Sequence, residues 1–540
     1  MALLDVKNLT FFFSNGVCAL KNLSFQIHEG EFILLSGSTG SGKTTLLKLI
    51  KQTVAPFGKM AGEIEYQNQS IKKLSLREQT AEIGYVFQNV ESQIVSDFVF
   101  QELAFGLENL GYDPNVIRLR VGEMASFFGI TSWFRQKTTD LSGGQKQLLN
   151  LASIMVMEPK ILLLDEPTSQ LDPIAASEFL QTLKKLNREL GLTIIIVEHH
   201  LAELWTLVDR IMVLDQGSLL AFDTPPEISK RNNLSMIDFP APIKIYREFS
   251  FNDECPLDVN SGKKWLTSHF QTKTKALIRQ EPKGVSLDMM QLSNIWFRYE
   301  KNSNDILRGL SFSIKQGEIV TIVGGNGSGK STLLKLLAGL LKPYSGRVKY
   351  AWRNQPVISF LPQNPQDLFI ADSVIEELQE MESFLKIAHA DFAIRLKDVI
   401  DLFSLNQILE QHPYDLSGGE QQKVALAKIL LRNPDIILLD EPSKSLDADL
   451  KGTLKQLLKE LQKQGKTIVI ASHDIEFAAL VSNKNAMLFD GEIIAQGNPH
   501  QFFSGNTFYT TSSNRLSRHM YDHLITEEEV VCLAKQNGAK

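Results

Sequence analysis

Two short, unbroken apolar runs, Phe32–Leu35 and Ile319–Val323, carry the first structural signal in the chain. Each reads as a buried strand. Each leads through a glycine-rich loop into a Leu-rich run of helical character, Leu46–Ile50 and Leu333–Leu337. Alternating positions then predict strands at Gly62–Tyr66 and Ile83–Phe87, and again at Gly346–Tyr350 and Val357–Phe360. Further on, Ile161–Asp165 and Ile436–Asp440 are apolar strands ending in paired carboxylates, Asp165 with Glu166 and Asp440 with Glu441. Two more apolar strands, Thr193–Val197 and Thr467–Ile470, precede His199 and His473. The same succession occurs twice, which predicts an α/β protein with two related domains.

The register of the repeat locates the differences. Lys43 and Lys330 stand 287 residues apart, whereas Gln88 and Gln363, Ser142 and Ser417, and Asp165 and Asp440 are each 275 apart. The second half is therefore shorter by 12 residues between its loop and Gln363, and the first half's longer connection includes Ser70–Thr80. The first domain is expected over 1–228, a linker over 229–286, the second domain over 287–498 and a tail over 499–540. Pro240, Pro242, Pro256 and Pro282 predict a partly ordered linker and argue against a long coiled coil. In the tail, Thr526 is placed to cap a short helix opening at the following three glutamates.

A length of 540 residues suits two domains or more, and 43% hydrophobic with 22% charged residues is ordinary for a soluble globular protein. The net charge of −6 asks for neither nucleic acid nor an anionic membrane. No apolar stretch is long enough to span a bilayer, and the N-terminus lacks a signal-peptide pattern. Cys18, Cys255 and Cys532 fit no metal spacing and suggest a reducing compartment. The expected location is cytoplasmic, with any service to a membrane given as a peripheral subunit.

The loops bring the chemistry. Gly37, Ser38, Thr39, Gly40, Ser41, Gly42, Lys43, Thr44 and Thr45 form one; Gly324, Gly325, Asn326, Gly327, Ser328, Gly329, Lys330, Ser331 and Thr332 form the other. Between strand and helix, such glycines let backbone N–H groups curl round phosphate oxygens, and the helix adds its positive end. The lysine reaches the outer phosphates, and the Thr44 or Ser331 hydroxyl is a ligand for Mg²⁺. Asp165 and Asp440 end buried strands and need a partner such as Mg²⁺. Glu166 and Glu441 are then candidate general bases for an attacking water. Ser142, Gly143 and Gly144, and likewise Ser417, Gly418 and Gly419, open helices whose exposed amides can bind a second anion.

Phosphate loop, Gln, signature, Asp-Glu and His follow in one order in both halves. In this the chain resembles tandem ATP-binding cassette proteins over about 220 residues of each half. The resemblance implies two P-loop NTPase domains, each with an antiparallel β subdomain and a helical subdomain. It also implies head-to-tail cassette pairing, with two ATP and Mg²⁺ sites completed across it. One site would join Lys43, Thr44, Gln88, Asp165, Glu166 and His199 to Ser417 and Gly419; the other would join Lys330, Ser331, Gln363, Asp440, Glu441 and His473 to Ser142 and Gly144. Gln88 and Gln363 would serve both water and metal, and each histidine the γ-phosphate, with His200 as neighbour to His199. Phe13 and Tyr299 would stack on adenine. Lys444, standing where the first half has Ser169, departs from the repeat and is a source of unequal rates.

The stretch following Gln88, with Glu102, and its echo with Glu376 resemble the fused ATPase of energy-coupling-factor importers for vitamins or metals. The resemblance implies an integral-membrane coupling subunit and a substrate-binding membrane subunit as partners. Glu102 or Glu376 would meet a basic coupling helix. The alternative is a soluble tandem-cassette translation factor acting on the ribosome, against which the proline-bearing linker counts.

Overall fold

The structure is a computed structural model. It describes the chain apart from residues 1, 170, 199–201, 235–236, 250, 252, 272–287, 351–355, 386, 445 and 539–540. Two compact units emerge: Met1–Pro240 with Asn252–Asp258, and Ala241–Phe251 with Val259–Lys540.

In the first unit a six-stranded sheet has the order β10-β9-β3-β8-β7-β6. Its strands are β3 (Phe32–Gly37), β6 (Ile83–Val86), β7 (Ile161–Asp165), β8 (Thr193–Val197), β9 (Arg210–Asp215) and β10 (Ser218–Asp223). All pairings are parallel except β9 with β10. Every residue of β3, β7 and β8 is buried, which explains why these segments read as continuous apolar runs. A second, antiparallel sheet joins β1 (Ala2–Phe13), β2 (Cys18–His28), β4 (Gly58–Tyr66) and β5 (Gln69–Ser70) in the order β2-β1-β4-β5. Its inward side packs with β3, β7 and the helix Lys43–Ile50 in one core that includes Leu4, Phe11, Leu35 and Leu47. The longer connection seen in the sequence is real structure: β5, a short turn of helix and the helix Leu76–Glu82, started by a reciprocal Ser75–Glu78 capping box.

The second unit repeats the plan. The strands β13 (Ile319–Val323), β15 (Ile358–Leu361), β16 (Ile436–Asp440), β17 (Thr467–Ser472), β18 (Lys484–Phe489) and β19 (Glu492–Gly497) lie in the order β15-β16-β17-β13-β18-β19. A three-stranded antiparallel sheet joins β11 (Asp288–Phe297), β12 (Leu307–Lys315) and β14 (Ser345–Tyr350) in the order β12-β11-β14. Each unit also has a helical region, Val99–Asn109 and Pro114–Phe127 in the first, Val374–Gln379 and His389–Phe403 in the second.

The stretch expected as a partly ordered linker contains two helices, Ala241–Arg247 and Val259–His269. They pack with the tail helices Ser512–Ser517 and Glu527–Asn537. An aromatic cluster of Tyr246, Phe249, Trp265 and Phe270 stabilises this module, with Phe249 and Phe270 centroids 4.8 Å apart. Thr526 does cap the last helix, accepting the Glu529 N–H at 3.3 Å.

Candidate functional site

Both glycine-rich loops leave a parallel strand at its C-terminal end, where open α/β sheets bind ligands. The backbone there admits no substitute for glycine at its tightest points. A Cβ on Gly37, which has φ +145°, would lie 1.9 Å from the Leu214 carbonyl oxygen, and one on Gly324 would lie 2.4 Å from that of Leu488. Gly42 and Gly329 are left-handed and directly precede the helices Lys43–Ile50 and Lys330–Leu337. The lysines arch over their own loops: Lys43 Nζ donates to the Gly37 and Ser38 carbonyls at 2.9 and 2.8 Å, and Lys330 Nζ to those of Gly324 and Gly325 at 2.9 and 3.0 Å. Each unit thus sets an ammonium against a glycine-rich loop at a helix start, an arrangement suited to a polyphosphate.

The strand-end aspartates face these loops. Thr44 Oγ1 donates to Asp165 Oδ1 at 3.1 Å, and Ser331 bonds to Asp440. Tyr85, a residue missed in the sequence, donates its hydroxyl to Asp165 Oδ2 at 3.1 Å. Burial, with help from neighbouring Glu166, pushes Asp165 up to about 6. Asp440 is also raised, chiefly by burial, and its Oδ1 is buried without a hydrogen-bond partner. A hydroxyl and a carboxylate with an unsatisfied oxygen fit Mg²⁺, which takes one or two protein oxygens and draws the rest of its shell from phosphates and water.

The next residues, Glu166 and Glu441, both have positive φ, 47° and 51°, which re-aims them from the strands. The Glu166 and Glu441 N–H groups donate to the Val197 and Ala471 carbonyls at 3.0 and 2.9 Å. Gln88 Nε2 donates to Glu166 Oε2 at 2.7 Å. His473 Nδ1 lies 2.9 Å from Glu441 Oε2, and its backbone N–H donates to the same oxygen at 3.2 Å. Burial raises the Glu441 carboxyl, but the bond and charge of His473 outweigh it and hold the group below its ordinary value. Gln363 is exposed beyond β15. The expected His199, with His200, lies outside the described residues. Glu198, also missed, is 2% exposed and accepts from Thr168 N–H and Oγ1 at 2.8 and 2.7 Å, bracing the turn after Glu166. Lys444 is depressed by burial, against the pull of Glu441 and Asp440.

The signature serines both sit at helix starts. Gln145 N–H donates to Ser142 Oγ at 3.3 Å ahead of the helix Gly143–Met155. Ser417 Oγ instead donates to Glu420 Oε2 at 2.6 Å ahead of Gly418–Leu430. Of the adenine candidates, Tyr299 is 54% exposed and touches Thr332 through its hydroxyl, while Phe13 is half-buried with its ring edge-on to Phe11 at 5.3 Å. Of the two acidic residues expected to meet a partner after the Gln, Glu102 needs correction. Glu102 is 4% exposed and caps the Val95 and Ser96 N–H groups at 3.0 and 2.8 Å. Its counterpart is Glu377, not Glu376: Glu377 is fully buried, caps the Ile370 and Ala371 N–H groups at 2.8 Å and pairs with Lys428. Glu102 and Glu377 are closed to a basic partner helix, whereas Glu376, the other expected residue, is exposed. What the first unit exposes there is aromatic, Phe100 at 39% and Phe105 at 45%.

Strand, glycine loop, helix and strand-end carboxylate define each unit as a P-loop nucleotide-binding domain. Residues 20–169 and 307–444 match the ABC transporter family. A Bacillus thuringiensis subsp. konkukian relative, provisionally named an ABC transporter ATP-binding protein, is 42% identical over 97% of both chains. A Clostridium tetani protein with the same provisional name is 34% identical over 81% of this chain and 99% of its own. The archaeal ribosome recycling factor, crystallised with a ribosomal stalk protein, has a TM-score of 0.57 over 92% of this chain and 91% of its own at 20% identity, a likeness of fold alone. The chain belongs to the ABC transporter family and is a tandem ATP-binding-cassette ATPase.

Proposed function

We propose that the chain is the ATP-hydrolysing subunit of an energy-coupling-factor importer, driving uptake of a vitamin or metal ion through separate membrane subunits. The observation that carries this reading is the doubled, undegraded set of site residues beside an aromatic cluster in which Phe100 is exposed and Phe98 and Phe134 are half-buried. The Phe98 and Phe100 centroids lie 5.9 Å apart, and those of Phe100 and Phe134 6.1 Å apart. That cluster adjoins the segment following Gln88, so a membrane subunit docked there would feel the nucleotide through the Gln88–Glu166 bond. The relatives' names support a transporter role. Among the described residues no helix is long and apolar enough to cross a membrane, which fits a subunit that needs membrane partners.

In this reading the phosphate loops hold ATP through Lys43 and Lys330, and each nucleotide is completed by the signature of the other cassette, Ser417 or Ser142. Mg²⁺, held through Thr44 and Asp165 or Ser331 and Asp440, would neutralise phosphate charge. Glu166 and Glu441 accept a proton from the attacking water, while Gln88 and His473 fix the carboxylates that do so. Purification of the tagged protein from gently solubilised membranes tests the proposal. It should bring a small set of integral-membrane proteins, and Phe100→Asp should release them while nucleotide binding persists. Recovery of ribosomes instead would overturn it.

A further inference from the structure

The two phosphate loops are braced differently. In the first, Ser38 Oγ donates to Asp215 Oδ1 at 2.7 Å, tying the loop to the end of β9. The equivalent positions in the second are Gly325 and Phe489, a pair that cannot make such a bond, and Phe489 is 61% exposed. A loop with glycine at 324, 325, 327 and 329 has much conformational freedom to lose on binding. The C-terminal tail occupies this place. A Cβ built on Gly325 would lie 3.9 Å from the Tyr509 hydroxyl oxygen.

The chain on either side of Tyr509 is firmly held. Arg515 donates to the Phe508 carbonyl at 2.8 Å, and Thr510 Oγ1 donates to Asn514 Oδ1 at 3.0 Å. Asn514 N–H donates to Thr511 Oγ1 at 3.1 Å, and its side chain donates to the Leu524 carbonyl at 2.8 Å. Ser512 N–H donates to Glu476 Oε1 at 2.6 Å, and Glu476 lies in the helix Ile475–Val481 that follows His473. Beneath, Val323 at the end of β13, Ala478 of that helix and Phe502, Phe503 and Ile525 of the tail share one core. The tail therefore meets the second site from both the loop and the His473 side.

We propose that Phe508–Ser512 is a strap that fixes the second phosphate loop for nucleotide binding, with Tyr509 as its positioning residue in place of the Ser38–Asp215 brace. Nucleotide affinity at the second loop then depends on the C-terminal module, and affinity at the first does not. The proposal rests on both loops being nucleotide sites, not on the importer reading.

Titration of the full-length chain with a fluorescent ATP analogue tests it, with K43A or K330A leaving one loop active. With K43A, Tyr509→Ala should weaken binding about three- to tenfold, the scale expected when preorganisation of a loop is lost. With K330A it should change nothing. Transplanting the first brace, G325S with F489D, should make Tyr509→Ala neutral; the Gly325 backbone has no positive φ and has room for a side chain. Tyr509→Phe, which keeps the ring, should fold and lose less affinity than Tyr509→Ala. An equal loss in both backgrounds, no loss at all in a folded Tyr509→Ala chain, or persistence of the loss after the transplant would each overturn the strap. A K43A chain that still binds two nucleotides would overturn the loop assignment and the strap with it.

Discussion

Asp165 and Asp440 end equivalent strands, yet their second oxygens meet different neighbours. Tyr85 bonds to Asp165, whereas Phe360 stands at the matching position and Asp440 Oδ1 is buried without a partner. The same divergence recurs one layer out, where Ser38–Asp215 faces Gly325–Phe489 and buried Glu377 has gained Lys428 where the first unit has Ser153. The groups placed to face a ligand are kept in both units, and the groups that hold them have drifted. Two sites with the same reactive atoms can thus differ in affinity and in response to pH.

The largest effect should come from the carboxylates themselves. Glu166→Gln with Glu441→Gln should cut phosphate release by about 10²- to 10⁴-fold while ATP still binds, and unaltered turnover would remove both from the role of base. The single variants sharpen the comparison: equal sites should each lose about half the rate, and a lopsided loss assigns the faster site.

Next come the buried glutamates. Glu377→Ala leaves the Lys428 ammonium buried without its carboxylate and should destabilise its unit by about 3–5 kcal/mol. Glu102→Ala strands only two N–H groups and should cost about 1–3 kcal/mol. Hydrogen exchange, read separately in the two units, checks the order, and a larger loss in the first unit would break it.

Tyr85→Phe makes Asp165 resemble Asp440 at a smaller cost. The lost bond favoured the carboxylate, so Asp165 should rise further from about 6. The acid limb of Mg²⁺-dependent nucleotide binding should then move up by about one pH unit in a K330A background, where an unmoved limb counts against the pairing.

The smallest effect concerns Glu476, which burial and then Glu527 and Asp474 push up to about 7, against the Ser512 bonds. Folded protein holds this proton more tightly than unfolded chain. Stability of the second unit should therefore fall as pH rises from about 4.5 to 7 and level off above. Glu476→Gln should flatten that slope by about 1 kcal/mol per pH unit or less.

Much of this was legible in the sequence because the strands at the site are buried on both faces. Ile161–Leu164 and Ile436–Leu439 had to be apolar throughout, and the glycines of each loop had to recur at fixed spacing. Glu102 was misread because its charge suggested a partner outside the unit. Burial turned that charge inward onto two amides, and the repeat's own register, 275 residues, already pointed to Glu377. Tyr85 and Glu198 carry no motif; their roles arise from strands adjoining in space. Comparing Tyr85 with Phe360 was the available signal. The linker helices hid behind their prolines, since their stability comes from tail residues some 250 positions away, as in the Thr267–His519 contact of 2.8 Å.

The interleaved boundary has a consequence for the gene. The polypeptide belongs to the first unit up to Pro240, to the second over Ala241–Phe251, to the first again over Asn252–Asp258, and then to the second. No single cut can divide it cleanly. A break after Pro240 takes buried Cys255 away from the first half, and a break after Asp258 takes Ile243 and Tyr246 away from the second. Expression as two separate polypeptides would require rebuilding one of these exchanges, so each unit needs a segment that lies on the far side of the other's boundary in the reading frame.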